Sequence, residues 1–209
     1  MDQENRRSLH QFFWSASGIH HALICVRPGS EGKLADNSGM TNRWKPSATV
    51  AAIIEQNGKF LLVEEHTPEG LRLNNPAGHL DEGESLVAAC ERETLEETMY
   101  QFTPEHLLGV YMSRFQRPTA HGTQDITYLR FAFCGTLGAL QTGRSLDTGI
   151  VRTLWLSPDE IRASAARHRS PLVVQCVEDY LAGQRYPLSM IHTDTTVSSP
   201  DPSVSRGRT

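Results

Sequence analysis

Gly78-His79-Leu80-Asp81-Glu82-Gly83-Glu84-Ser85-Leu86-Val87-Ala88-Ala89-Cys90-Glu91-Arg92-Glu93-Thr94-Leu95-Glu96-Glu97 is the most telling stretch of the chain. Read as a helix over residues 86–98, it puts Glu93, Glu96 and Glu97 at i, i+3 and i+4, on one face. Like charges at that spacing destabilise an isolated helix by about 0.2–0.5 kcal/mol per pair. They also stand near the helix C-terminus, the end the macrodipole makes unfavourable for anions. A hard divalent cation resolves the conflict, because magnesium takes oxygen ligands and bridges one or two carboxylates to phosphate groups. The same cation stabilises charge on the oxygens of a reacting phosphate. Gly78 precedes the helix in a Pro76-Ala77-Gly78 loop. Lacking a Cβ, it lets backbone come close to a ligand, and its carbonyl can join a metal shell. The competing reading is a solvated acidic face, and the three glutamates taken alone suggest no more than that.

Outward from this helix the signals are those of a mixed sheet. Residues 48–54 form an apolar, β-rich run, and residues 59–63 form its return. Between them Asn57-Gly58 suits a type I′ turn, whose two central residues need positive φ. Over residues 128–134, Leu129, Phe131 and Phe133 alternate with Tyr128 and Arg130, so the two sets lie on opposite faces of a strand. Residues 152–156 make a further short strand. Ser157-Pro158-Asp159-Glu160 opens a helix with an N-cap serine, a first-turn proline and a capping-box glutamate. Ser170-Pro171 starts another, with Val173, Cys176, Val177 and Tyr180 as its apolar stripe and Gly183 placed to end it. Interleaved strands and helices predict an α/β fold, a mixed sheet covered by helices.

The ends read differently. Residues 1–46 show no sustained periodicity and predict an N-terminal extension of loop or disordered chain, with Met40 a candidate start of translation. Residues 193–209 are Ser, Thr, Asp and Pro with little apolar content, and predict a disordered tail. Residues 47–192 are left as the folded domain.

Of the 209 residues, 38% are hydrophobic and 21% charged, ordinary values for a globular chain. A formal net charge of -4 argues against a stable nucleic-acid partner, which would need phosphate neutralisation by Lys and Arg. No apolar run is long enough to span a membrane, and the stretch over residues 19–26 is broken by His20 and His21. Cys25, Cys90, Cys134 and Cys176 are far apart and form no CxxC pair. They read as buried thiols of a cytoplasmic protein rather than as zinc or redox ligands.

The spacing of Gly78, Glu84, Arg92, Glu93, Glu96 and Glu97 resembles the Nudix box in every one of those positions. Two positions depart from it: Thr94 stands in an apolar slot, and Met99 replaces the glycine that closes the helix, followed by Tyr100 in the last apolar slot. The resemblance reaches further, from about residue 48 to residue 191, and is to the bacterial NudJ phosphatase group of that family. It rests on Asn57-Gly58-Lys59-Phe60, Val63-Glu64-Glu65, Asn75-Pro76-Ala77-Gly78-His79-Leu80, Arg169-Ser170-Pro171-Leu172-Val173 and Gly183-Gln184-Arg185-Tyr186-Pro187-Leu188.

That resemblance implies a Nudix α/β/α sandwich with a mixed sheet. It implies a magnesium-dependent enzyme, with manganese a possible replacement, that releases orthophosphate from nucleoside tri- and diphosphates and from hydroxymethylpyrimidine or thiamine diphosphate. It makes Glu93, Glu96, Glu97 and Gly78 the metal set. Glu93 is the candidate to activate water, with a base outside the box as the alternative. Arg92 is expected to pair with Glu84 and orient the neighbouring carboxylates, as second partners of metal ligands do; the bland alternative is an exposed surface pair. Arg130 is expected to bind phosphate with Tyr128 stacking on a base or pyrimidine ring, or else to sit in a surface ion pair. His79 is expected to contact phosphate, or to be structural. Arg185 and Tyr186 are expected at the pocket on the resemblance alone. The partner is a small diphosphate or nucleotide, and the protein a monomer or homodimer. A different nucleotide derivative as substrate, and a non-catalytic nucleotide-sensing domain, are the rival functions.

Overall fold

A computed structural model describes residues 43–119 and 122–198. The N-terminal extension up to residue 42, with Met40 and Cys25, and the tail beyond residue 198 lie outside the described residues.

The main sheet has five strands. β1 (Ser47–Ile53) lies between β5 (Ala77–His79), to which it is antiparallel, and β7 (Gly122–Leu140), to which it is parallel. β7 turns back on β6 (Tyr100–Thr119), and β6 carries the short β9 (Tyr186–Pro187) on its outer edge. A second sheet is built on β3 (Lys59–Thr67), which pairs with β2 (Glu55–Gln56), β4 (Gly70–Asn74) and β8 (Ile150–Leu156). The expected Asn57-Gly58 turn joins β2 to β3, with φ of 54° and 77° at its two residues.

Alternation along the strands sends side chains to two cores. Val50, Ala52, Ile54, Leu61 and Phe133 pack with Ala89 and Cys90 of α1 (Leu86–Thr98). Ala51, Ile53, Phe60, Leu62, Ala132 and Cys134 pack with Ile161 of α2 (Pro158–Ala163) and with Val173, Cys176 and Val177 of α3 (Leu172–Leu181). Strands that are apolar on both faces bury both, and the result is the α/β/α sandwich. Cys90, Cys134 and Cys176 are free, buried thiols.

Caps fix the helices that position the site. Ser85 caps α1 by accepting from the Ala88 N–H at 3.1 Å, and Ser157 and Glu160 form the complete capping box of α2. At the other end of α1, Met99 takes the left-handed conformation, φ 61° and ψ 5°, and its N–H reaches the Leu95 carbonyl at 2.9 Å. Methionine thus closes the helix in the conformation that usually calls for glycine.

Two features differ from the sequence reading. Residues 128–134 are the middle of a far longer hairpin, β6–β7, whose outer part extends past β1: Ser47, the first residue of β1, pairs with Tyr128. The structure also continues to Ser198, with a turn at Thr195–Val197 capped by Asp194, inside the stretch expected to be disordered.

Candidate active site

The C-terminal half of α1, strands β4 and β5, the segment leading into α3 and the projecting β6–β7 arm enclose a cavity of about 950 Å³. Gly78, His79, Glu93, Glu97, Tyr128 and Arg130 all line it. The fold therefore brings together six of the residues singled out in the sequence. Residues not singled out join them: Glu65 from β3, Asn74 from β4, Asp147 before β8, and His168 and Arg169 before α3.

Arg92 is the hub of the acidic helix. Its Nε and Nη2 donate to both oxygens of Glu84, at 3.0 and 2.6 Å, while Nη1 donates to Glu93 at 2.8 Å and to Glu96 at 3.1 Å. Nη2 also donates to the His79 carbonyl at 3.0 Å, tying the helix to β5. The Arg92 and Glu84 side chains are mostly buried, which rules out the exposed surface pair as a description.

The three box glutamates end up in different surroundings. Glu93 and Glu97 are a full helical turn plus a fraction apart and both face the cavity. Glu96 is offset around the helix, partly exposed, and borders a separate shallow hollow with Arg144 and Asp147. Among the described residues no three His, Cys, Asp or Glu side chains converge on one point. Two of the three glutamates meet instead on Arg92, whose Nη1 donates to both Glu93 and Glu96.

Glu97 is the most perturbed of the three. It is 8% exposed, and one oxygen accepts the Ala77 N–H at 2.8 Å. Burial, helped by the negative charge of Glu65, Glu93 and Asp147, pushes its carboxyl up to about 8. Burial also raises Glu93, against the pull of Arg92. Gly78 leaves room for this packing: a Cβ there would stand 1.9 Å from the Glu93 carboxylate carbon.

Across the cavity Arg130 is 8% exposed and makes no ion pair among the described residues. Its Nη2 reaches Asn74 Oδ1 at 3.4 Å, its Nη1 has no hydrogen-bond partner, and burial works against its charge. The surface-ion-pair alternative is thereby overturned, because the strand face it occupies is covered by α3 rather than by solvent. The Tyr128 ring lies 6.2 Å from the His79 ring, tilted by 53°. Arg185 and Tyr186 are not at the cavity: Arg185 lies over the Tyr180 ring at 3.8 Å, and Tyr186 pairs with Leu107 on the far edge of the sheet. Placing them by resemblance fails because β9 attaches to β6 on the side away from β1.

The donors that face the cavity from α1 are carboxylate oxygens, the ligand type of a hard divalent cation. One cavity-lining carboxylate oxygen, Glu65 Oε1, is buried without a partner, and Glu97 carries an uncompensated burial penalty. These residues fit a cation such as magnesium.

Acids suited to a cation, facing an arginine suited to an anion, define a site for phosphate chemistry. The chain matches the NUDIX domain family over residues 44–176. It is 38% identical over 148 residues to Phosphatase NudJ of Escherichia coli strain K12, covering 71% of this chain and 92% of that protein, and equally to Phosphatase NudJ of Shigella flexneri. Among solved structures it resembles a NUDIX hydrolase from Nitrosomonas europaea at 54% identity and a TM-score of 0.64, over 72% of this chain and 98% of that one. A MutT NUDIX hydrolase from Burkholderia pseudomallei, 19% identical with a TM-score of 0.52 over 65% of this chain and 98% of that one, shares the fold. The chain belongs to the Nudix hydrolase family. It is accordingly a hydrolase of phosphorus-containing anhydrides, from a family that in general depends on a divalent metal and acts on small nucleotide substrates. No helix among the described residues is long and apolar enough to cross a membrane.

Proposed function

We propose that this hydrolase is a magnesium-dependent phosphatase of nucleoside tri- and diphosphates that also accepts hydroxymethylpyrimidine or thiamine diphosphate and releases orthophosphate. The observation that carries the reading is the opposition, across one cavity, of buried Glu97 among other carboxylates and buried Arg130 with an unbonded Nη1. A cation balances the first and an anion balances the second, and a metal-bound phosphate tail would supply both. Glu93, Glu97 and the Gly78 carbonyl would hold the metal at the cavity, joined by Glu96 once its side chain leaves Arg92 and turns inward, and the metal would stabilise charge on the reacting phosphate. Arg92 positions Glu93 and Glu96 and is a positioning residue. Glu93 activates the attacking water. Arg130 binds phosphate oxygens, His79 contacts the phosphate tail, and Tyr128 stacks on the ring of the leaving group. The likeness to proteins named Phosphatase NudJ supports the phosphatase reading, in which orthophosphate is released.

A substrate panel with magnesium, with manganese and with chelator tests this reading. The expected result is orthophosphate from all four substrate types, abolished by chelator and restored by magnesium. Release of pyrophosphate alone from triphosphates would overturn the substrate assignment while leaving the family intact.

A further inference from the structure

β3 crosses the molecule as a buried apolar strand, Phe60 to Val63, and then presents two consecutive glutamates. Consecutive strand residues point to opposite faces. Glu64 meets Arg152 at 2.7 Å and also Arg167, so both its oxygens are engaged. Glu65 goes the other way, into the cavity of Glu93 and Glu97. The pairing of β3 with β8 slips between these two residues: Glu64 opposes Arg152, but Glu65 opposes Ile150. Such an irregularity in a ladder commonly re-aims a side chain beside a functional site.

Once aimed inward, Glu65 is only half satisfied. Its Oε2 pairs with Arg169 at 2.7 Å, while Oε1 is buried with no hydrogen-bond partner. Burial raises its carboxyl against the pull of Arg169, Asn74 and Arg130, and its charge bears on Glu97 across the same space. A buried carboxylate oxygen left without a partner costs free energy unless something binds it. Arg130, more than nine-tenths buried, lines the same cavity with an unbonded nitrogen of its own.

We infer that Glu65 is a metal ligand from outside the box, its Oε1 joining Glu93 and Glu97 on the cation while Arg169 holds its Oε2 in place. The inference rests on the metal reading of the cavity proposed above. It makes the cation bridge α1 and β3, two elements that approach each other only in the folded chain.

Titration of metal-free protein with Mn2+ alone, followed by loss of the free-ion EPR signal, tests it without substrate or turnover. Glu65→Gln and Glu97→Gln are each expected to weaken Mn2+ binding about tenfold or more, the scale on which even indirect partners of a ligand act. Arg169→Ala, which frees Oε2 but leaves the carboxylate, is expected to weaken Mn2+ binding by less than Glu65→Gln does. Melting in chelator establishes that each variant is folded. Should Glu65→Gln fail to fold, Glu65→Asp takes its place, because one methylene fewer withdraws Oε1 while Arg169 keeps the other oxygen. Wild-type affinity in the folded Glu65 variant, with Glu97→Gln weakened, overturns the role of Glu65 and leaves the metal reading standing. Wild-type affinity in Glu97→Gln as well overturns both.

Discussion

Glu64 and Glu97 are both buried glutamates, 3% and 8% exposed, and they sit in opposite electrostatic company. Glu64, in the middle of a strand, has an arginine for each oxygen, and those partners hold its carboxyl below the usual range. Glu97, at the end of a helix, has one backbone N–H and otherwise faces Glu65, Glu93 and Asp147, so its carboxyl is raised. The first arrangement is complete within the protein and serves the fold. The second is not balanced within the protein: without a partner cation its carboxyl keeps its proton, and on the reading proposed above a bound metal takes the place of that proton. Burial alone does not separate structural from functional carboxylates; the balance of partners does.

The largest test of this contrast is turnover. Glu97→Gln is expected to lower magnesium-dependent turnover by about 100- to 1,000-fold, the scale on which groups that stabilise transition-state charge act. In chelator its melting temperature at pH 7 should be no lower than wild type, because a carboxyl that titrates at about 8 already holds a proton there and glutamine resembles it. Turnover within a few-fold of wild type at limiting magnesium would put Glu97 outside the metal site.

Glu64→Gln should do the reverse. Turnover per folded molecule changes little, while stability falls by about 1.5–3 kcal/mol, the range for hydrogen bonds to charged groups. Arg152 and Arg167 are about half exposed and rehydrate, which keeps the loss below that of a fully buried pair. A melting temperature equal to wild type would show that the strand does not need the pair.

The two carboxylates also tilt stability oppositely with pH. The folded-state value of Glu64 lies below 4.5, so its contribution is present above that pH and is lost as pH falls beneath it. The folded-state value of Glu97 lies above 4.5, so its contribution in chelator is present in acid and is lost as pH rises through about 8. Melting of the chelated protein from pH 3 to 9 should therefore lose its acid limb in Glu64→Gln and flatten at the alkaline side in Glu97→Gln. Identical profiles in all three proteins would remove the contrast.

The smallest effect concerns the end of the helix that carries Glu97. Met99 holds a left-handed backbone that costs a residue with a Cβ about 1 kcal/mol or more. Met99→Gly is expected to raise stability by about 1 kcal/mol at unchanged turnover. An unchanged or lower melting temperature would mean that the methionine side chain contributes packing of equal size.

The sequence showed α1 and its bounds, the Asn57-Gly58 turn and the Ser157 capping box because each is written in neighbouring residues. The arm of β6 and β7 was mostly invisible. Pro104, Gly109 and Pro118 interrupt β6, and its pairing slips three times, so the two-residue period never runs long enough to declare a strand of that length. At the site, spacing along one helix put three glutamates on a common face, yet rotation around that helix separates Glu96 from the cavity. Glu65 and Asp147 come to the cavity only through tertiary packing. Glu65 did leave a trace: two adjacent acids ending an apolar strand oblige one of them to point inward.

Gly78 sets a limit on how this chain can change over generations. Any side chain there would take the space of the Glu93 carboxylate, which sits at the end of a flexible arm and can swing aside at little cost. A mutant at position 78 is therefore expected to keep its backbone fold while carrying a displaced Glu93. Such a change would fall on the chemistry that Glu93 serves rather than on the architecture around it.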